Sequence, residues 1–292
     1  MSPFLLLADD YALSPGVSAG IETLAAAGRL SGTAAITTLP DWSAAGDRVR
    51  ALRRQIAVGL HLNLTLGAPL GPMPAHAPGG ALPPVGTWIA RAWTGRIDPA
   101  EVEREIDRQF ACFEAIAQAA PDYVDGHHHV QALPGVRAAL LRVIARRYPP
   151  GQAPLLRLPG DRLARIAARG GAWPKAVVLT LATAGARTAF RRAGAPVNDS
   201  FAGVSGFDRA IPFARELARF ARAPGPVHLV MCHPGHPDAA LAALDPLAAR
   251  REDEFAALMA DATLPARILH PATRRDAAGR IDWRQIAAPA AR

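Results

Sequence analysis

Aspartate and histidine side chains recur at the ends of short apolar runs in this sequence. They stand at Asp9 and Asp10, at His61, at Asp125 followed by His127–His129, and at His233. These residue types bind divalent metals and transfer protons at neutral pH. One aspartate and two histidines would leave open positions on a metal, as catalytic rather than structural sites do. With Asp9 as base and His233 as acid, the pattern indicates metal-assisted hydrolysis of an amide or ester.

The triple histidine is the strongest of these signals. His127 and His129 are two residues apart, so in an extended segment they would share one face and could both approach a metal. Asp125 could accept a hydrogen bond from one imidazole and orient it. A histidine cluster on the surface is the alternative, but such clusters seldom follow a buried strand and Gly126 directly.

Two of the other positions have plain structural alternatives. Neighbouring residues at a strand end point to different sides, so one carboxylate of the Asp9-Asp10 pair can bind a metal while the other takes a proton. The pair could instead cap the helix that starts near Ser14. His61, within an apolar strand, could be an ordinary core histidine with satisfied hydrogen bonds.

His233 ends an apolar run, and Pro234 prevents that strand from continuing. A histidine held at a strand end can act as a general acid. Cys232 would need an orienting base and a lowered pKa to act as a nucleophile, and Cys112 lies on an apolar helix face. Two cysteines make no disulfide framework and suit a reducing compartment, so we expect a cytoplasmic protein.

Short apolar runs alternate with amphipathic segments along the whole chain. Strands are predicted at 4–8, 33–38, 56–64, 123–125, 155–158, 227–231 and 267–269, with helices at 17–28, 43–55, 98–119, 134–147, 161–170, 175–192, 208–221 and 247–260. This alternation favours parallel strands with crossover helices outside them. We therefore predict a TIM-barrel-like α/β barrel, complete or incomplete, in which the carboxyl ends of the strands meet on one face.

We expect one domain over residues 1–292. The Pro- and Gly-rich segment 65–87 is predicted as a long loop on the substrate side, and 276–292 as a loosely held tail. The longest apolar stretch, 176–186, is too short to cross a bilayer and is predicted as a buried helix.

Composition excludes some function classes. The chain has 33 Lys+Arg against 25 Asp+Glu, a formal net charge of +8, and 6% aromatic residues. Its arginine doublets, such as Arg250-Arg251, are scattered near predicted helix ends, and no aromatic residue interleaves with a basic run. Nucleic-acid sites need clustered charge with reading groups, so we expect no nucleic-acid partner and interpret the arginines as solvated helix ends. No membrane span is expected, and a homodimer is left open.

Four segments together resemble the YdjC-like carbohydrate deacetylases, a family that includes chitooligosaccharide deacetylases and hopanoid-associated members. They are Leu-Ala-Asp-Asp-Tyr-Ala-Leu-Ser-Pro-Gly at 7–16, Gly-Leu-His-Leu-Asn-Leu-Thr at 59–65, Asp-Gly-His-His-His-Val at 125–130 and Met-Cys-His-Pro-Gly at 231–235. The resemblance implies a TIM-barrel-like fold and metal-dependent removal of an acetyl group from an N-acetylated sugar or oligosaccharide. The metal would be one divalent ion, Zn or Mg.

The resemblance also implies site residues. Carried over position by position, the metal ligands are Asp10, His61 and His127, the base is Asp9, the acid is His233, and substrate or supporting positions are Asp125, His129, Arg157 and Asp199. Gln131 stands where relatives often carry a further histidine. A different metal-dependent barrel hydrolase, such as a phosphoesterase, or an isomerase is the alternative.

Overall fold

A curled parallel sheet forms the centre of the molecule. The computed structural model describes residues 3–245 and 247–286. Seven strands pair in the order β5-β4-β3-β2-β1-β7-β6, all parallel. They are β1 (Leu5–Tyr11), β2 (Gly32–Ala35), β3 (Ala57–Leu62), β4 (Tyr123–Gly126), β5 (Leu155–Leu156), β6 (Ser200–Ala202) and β7 (His228–Cys232). The predicted α/β barrel is confirmed in its incomplete form.

The edges of the sheet approach each other. An isolated parallel bridge between Leu156 and Val197 connects β5 to the segment that leads into β6. The backbone N–H of Leu156 donates to the carbonyl of Pro196 across the same gap, at 2.8 Å. The short β5 and β6 are therefore joined by a few contacts rather than by a continuous ladder.

Helices cover the outer face of the sheet. They are α1 (Pro15–Ala26), α2 (Pro40–Ser43), α3 (Gly46–Arg53), α4 (Val85–Trp93), α5 (Pro99–Ala117), α6 (Val136–Arg147), α7 (Leu163–Arg169), α8 (Trp173–Ala182), α9 (Ala186–Arg192), α10 (Phe213–Phe220), α11 (Ala239–Leu244), α12 (Ala248–Ala260), α13 (Leu264–Arg267) and α14 (Trp283–Ile286). Short 3₁₀ turns span His127–Ala132 and Pro271–Arg274.

Both faces of the sheet are buried, which explains why the strands are apolar throughout. In β1, Leu5 and Leu7 belong to the core inside the curl, whereas Leu6 and Ala8 belong to the core between sheet and helices. Alternate residues of a strand point to opposite faces, so a strand covered on both sides needs apolar residues at every position. The inner core includes Tyr123 and closes the amino-terminal end of the curl.

The clearest departure from the sequence predictions concerns α8. This helix carries most of the apolar stretch 176–186, but none of its residues is buried. Val178 and Leu181 are 63% and 62% exposed. The helix packs beside α7, and its Leu179 and Ala182 are only partly buried against the two cores. Apolar composition alone does not tell how deeply a helix is buried. Within the residues that the structure describes, no helix is both long and apolar enough to cross a bilayer.

The Pro- and Gly-rich segment 65–87 is held in place by hydrogen bonds to helix α5. Glu101 of α5 accepts hydrogen bonds from the backbone N–H groups of Ala75 and His76, and its carboxylate also contacts the His76 ring at 2.8 Å. That ring stacks on Trp88 with centroids 5.0 Å apart. The buried carboxylate therefore ties the middle of the segment to the helix layer.

The predicted loose tail also differs from the structure over its described part. Ile281, Trp283 and Ile286 are buried, and the Trp283 indole N–H donates to the Asp122 carbonyl at 2.7 Å. Residues 287–292, the rest of the predicted tail, lie outside the described residues. The predicted strand 267–269 contributes only an isolated bridge from Ile268 to Phe4.

Gly59 of β3 is a position where packing allows no side chain. A Cβ there would lie 2.7 Å from the Tyr123 carbonyl oxygen and 2.8 Å from its ring. We expect Gly59→Ala to lower the free energy of unfolding by about 2 kcal/mol, measured by urea denaturation, because the strand pair must separate to admit the methyl group.

Gly86 of α4 provides the control, because a Cβ added there would meet no other atom within 4 Å. Gly86→Ala should be neutral or stabilising by about 0.5–1 kcal/mol, and equal losses in both variants would contradict this account.

Candidate metal and catalytic site

A cavity of about 460 Å³ opens at the carboxyl ends of the strands. Six of the predicted site residues line it, namely Asp9, Asp10, His61, His127, His129 and His233. These residues come from β1, β3, the turn after β4, and the end of β7. The parallel sheet brings them together because all its carboxyl ends face the same way. Leu66 and Val85, near the two ends of segment 65–87, also line the cavity.

Asp9 and Asp10 both reach this cavity because β1 is irregular at its end. The pairing register with β2 shifts between Ala8 and Tyr11. Asp10 has a φ of 69°, in the left-handed region that residues other than glycine rarely adopt. Such strain is kept where the surrounding contacts compensate for it, and it turns the two carboxylates toward different partners.

Asp10, His61 and His127 form a compact set of three potential metal ligands. Oδ1 of Asp10 lies 3.1 Å from Nε2 of His61 and 3.0 Å from Nδ1 of His127. One donor atom from each of the three residues lies within 4.8 Å of the others. Two imidazoles and one carboxylate are a common catalytic ligand set for zinc.

The surroundings of His61 fit a metal ligand. Its Nδ1 lies 2.7 Å from Oδ1 of the buried Asp125, which directs Nε2 toward Asp10. Ligating histidines usually have such an acceptor on the second nitrogen. Burial would lower the pKa of His61, but Asp125 and Asp10 outweigh it and raise the pKa to about 10. The position therefore favours a positive charge, as a cation site must.

Arg157 is buried behind the carboxylates of the site and does not line the cavity. Its guanidinium is fully buried and forms two bonds to Asp9, at 2.6 and 2.9 Å. The same group lies 2.8 Å from Asp125. Burial would raise the pKa of Asp9, but Arg157 and then His61 outweigh it and hold the pKa below its usual value. Asp9 is thus an oriented, ionised carboxylate.

The triple histidine does not form the extended segment that its spacing predicts. His128 and His129 have φ values of 53° and 62°, so the chain turns directly after Gly126. His127 faces Asp10, whereas Nδ1 of His129 is 3.5 Å from Arg157. Nδ1 of His128 is 2.9 Å from the Thr65 hydroxyl. The three imidazole rings therefore contact three different partners: Asp10, the Thr65 hydroxyl and Arg157.

His233 lies at the wall of the same cavity. Its backbone N–H donates to Oε2 of the buried Glu254 at 2.6 Å, and the Phe207 ring meets its ring edge-on at 5.6 Å. Burial lowers the pKa of His233 despite the nearby Asp9 and Asp10. The imidazole is therefore neutral at pH 7 and can accept a proton before it donates one.

Arg251 is a site residue that the sequence pattern does not reveal. Its guanidinium donates to Oδ2 of Asp10 at 2.6 Å and to Asp245 at 2.7 Å, and its side chain is 3% exposed. It therefore holds the outer oxygen of Asp10 and leaves Oδ1 to the histidines. The interpretation of the Arg250-Arg251 doublet as a solvated helix end is wrong. Nothing local in the sequence signals that this doublet faces inward.

Asp199 is not brought into the cluster. It precedes β6, at the amino-terminal end of the sheet, and pairs with Arg191 of α9 at 3.1 Å. A residue that precedes a parallel strand faces away from the carboxyl-end cavity.

Cys232 is buried next to the site. Burial raises the pKa of its thiol, and its Sγ contacts the Leu7 carbonyl at 3.5 Å. This environment does not activate a nucleophile.

Comparison with known proteins agrees with this geometry. The family model described as YdjC-like protein matches residues 4–266. The chain belongs to the YdjC-like family. The match spans every strand of the sheet and includes Asp10, His61 and His127.

Named relatives of this YdjC-like chain are deacetylases. It is 29% identical over 252 residues to the human carbohydrate deacetylase, covering 80% of this chain and 75% of that one. It is 35% identical over 144 residues to a chitooligosaccharide deacetylase of Enterobacter sp. (strain 638), covering 48% of this chain. The match spans only about half, 54%, of that relative's length.

A solved structure supports the fold of this YdjC-like chain. A crystal structure from Enterococcus faecalis V583, described as that of a cellobiose-phosphate cleavage protein, superposes with a TM-score of 0.67. The two chains are 22% identical over 98% of this chain and 99% of the other. At this identity the likeness concerns the architecture alone.

Glu254 generates a prediction about the pH dependence of stability. Burial raises its pKa from 4.5 to about 7, even though the His233 amide and Arg250 favour the charged form. The stability contributed by its protonated form is present below pH 4.5 and is lost as the pH rises through about 7. We therefore expect Glu254→Gln to gain stability relative to the parent between about pH 5 and about pH 8, on the order of 3 kcal/mol.

Urea unfolding at both pH values measures this difference. Glu252→Gln, at an exposed position of the same helix, is the matched control and should follow the parent. A stability difference between Glu254→Gln and the parent that does not change with pH would show that Glu254 does not titrate in this range.

Proposed function

We propose that this protein is a metal-dependent carbohydrate N-deacetylase that removes an acetyl group from an N-acetylated sugar or oligosaccharide. The observation that carries the proposal is the contact of Asp10 with His61 and His127 in a cavity that also contains Asp9 and His233. The names of the family relatives support the same substrate class and reaction.

Each residue has a role in this proposal. Asp10, His61 and His127 hold the cation, and their two nitrogens and one oxygen favour Zn²⁺ over Mg²⁺, which prefers oxygen ligands. When bound, a divalent cation there supplies Lewis acidity, polarising an amide carbonyl and acidifying water. Asp9 accepts the proton of the attacking water, and its two bonds to Arg157 keep the carboxylate oriented.

His233 delivers a proton to the departing amine. Because burial keeps its ring neutral in the free protein, His233 must gain its proton during the reaction. The proton that Asp9 takes from the attacking water balances the one that His233 gives to the amine nitrogen, so the C–N bond breaks with release of acetic acid and the free amine. His129 and Arg157 shape the floor of the site, and Asp125 fixes the His61 tautomer. The free thiols Cys112 and Cys232 suit the reducing cytoplasm that we propose as its compartment.

A two-metal phosphoesterase is the alternative that the geometry disfavours. A second group of potential ligands, Asp9, His61 and Asp125, exists in the described part of the chain. Its two carboxylates, however, are already paired with the buried Arg157. A second cation would lie against this guanidinium, and like charges in a buried site repel strongly.

Acetate release from N-acetylglucosamine oligomers tests the proposal. We expect release that a chelator stops and that added Zn²⁺ restores. Asp9→Asn should reduce the rate at least about a hundredfold, because the amide cannot accept the proton, while the protein still binds metal, because Asp9 is not one of the three proposed ligands. Asp47→Asn, at a fully exposed carboxylate of α3, is the control. Full activity in Asp9→Asn would contradict the assigned base.

Metal content tests the ligand set separately. Asp10→Ala and His127→Ala should abolish stoichiometric zinc binding. Asp125→Asn should weaken it by about ten- to a hundredfold, because Asp125 is not one of the proposed ligands but orients His61 and pairs with Arg157. Elemental analysis and titration calorimetry measure these changes. Unchanged affinity in both alanine variants would mean that the cation binds elsewhere.

A further inference from the structure

An exposed apolar surface surrounds α8. Val178 and Leu181 are 63% and 62% exposed, Trp173 at the start of the helix is 55% exposed, and Leu163 of the adjacent α7 is 61% exposed. We call these four side chains and the helices that carry them the α7–α8 surface. Large apolar side chains grouped in this way on a protein surface mark interaction sites.

All charged residues in the sequence segment that contains this surface are basic. Residues 162–198 contain no aspartate or glutamate and seven basic residues, namely Arg162, Arg165, Arg169, Lys175, Arg187, Arg191 and Arg192. Arg165 and Arg169 pair with the preceding Asp161, and Arg191 pairs with the following Asp199.

Three exposed cations of this segment have no ion-pair partner within the described residues, and two of them, Arg162 and Arg192, remain available to a partner. Arg162, Lys175 and Arg192 are exposed and form no ion pair within the described residues. Lys175, the only lysine of the chain, donates to the Ser205 carbonyl at 3.5 Å and lies 5.6 Å from the centre of the Phe207 ring. The segment therefore presents unpaired positive charge next to exposed apolar side chains.

We propose that the α7–α8 surface docks onto an anionic lipid bilayer. Interfacial helices insert tryptophan, leucine and valine into the headgroup boundary while neighbouring basic residues contact anionic lipids. Each cation near an anionic bilayer adds binding free energy, and the buried apolar area adds the rest. Helix α8 has only ten residues and no buried one, so docking at the interface rather than insertion is the geometry it allows.

Two other occupants fit the surface less well. A second copy docked through the same face would place the unpaired cations of both copies against each other, with no exposed carboxylate of residues 162–198 to offset them. A nucleic acid would satisfy the charge but would leave Leu163, Val178 and Leu181 without apolar partners. A bilayer satisfies both features at once.

The surface adjoins the mouth of the cavity described above. Lys175 and Leu179 of α8 both line that cavity. Docking through α8 would therefore hold the cavity mouth close to the bilayer. This inference goes beyond the proposed function and does not require it, because binding to vesicles is measured without any turnover.

Co-sedimentation of the full chain with vesicles tests the proposal. We expect binding to vesicles of phosphatidylcholine with phosphatidylglycerol, at least about tenfold weaker binding to phosphatidylcholine alone, and weaker binding as salt rises. The double variant Val178→Ser with Leu181→Ser should lose about tenfold or more in partitioning. Arg162→Gln with Arg192→Gln should lose a similar factor on the anionic vesicles only.

Trp93→Ser is the matched control, since Trp93 of α4 is as exposed as Trp173, at 55%. Far-ultraviolet circular dichroism confirms that each variant folds. The proposal is overturned if the chain does not co-sediment with anionic vesicles, or if Trp93→Ser weakens binding as much as the α8 double variant. It is also overturned if double-stranded DNA binds the chain as tightly as the anionic vesicles do and displaces it from them. Light scattering that shows a dimer which the α8 double variant dissociates would assign the surface to a second copy instead.

Discussion

The buried guanidinium of Arg157 is the contact on which the site depends. Asp9, Asp10 and Asp125 are each at most 3% exposed, at the carboxyl ends of β1 and β4. Carboxylates this close together and this dry repel one another unless cations compensate them. Arg157 bridges Asp9 and Asp125, and Arg251 neutralises Asp10 from the other side. Without these arginines, the strand ends that carry the carboxylates could not pack as they do.

The same ion pairs determine which carboxylate oxygens are bound by arginine and which face the histidines. Both oxygens of Asp9 bind Arg157, which fixes the orientation of this carboxylate. Oδ2 of Asp10 binds Arg251, which leaves Oδ1 toward His61 and His127. Helix α12 contributes to both sides of the cavity, because Arg251 contacts Asp10 and Glu254, one turn later, contacts the His233 backbone. The outer helix layer thus positions groups that β1 and β7 supply.

The sequence predicted those features that follow from local pattern. Continuous apolar runs ending in aspartate or histidine indicated parallel strands and a carboxyl-end site, and the incomplete barrel agrees with that expectation. The set of Asp10, His61 and His127 was implied by the resemblance to the YdjC-like family, and these three side chains lie together in the structure. Features that depend on distant contacts were not predictable. The inward direction of Arg251 depends on Asp10, which is 241 residues away. The exposure of α8 depends on which layer lies beside it, and the histidine turn depends on left-handed residues that no pattern signals.

The position of a bound cation tests the account most directly. A crystal structure of the chain grown with Zn²⁺ and measured at the zinc absorption edge would show it by anomalous scattering. We expect one peak per chain, bound by Oδ1 of Asp10, Nε2 of His61 and Nδ1 of His127, with Arg157 still paired to Asp9. A peak among Asp9, His61 and Asp125, with Arg157 displaced, would contradict it.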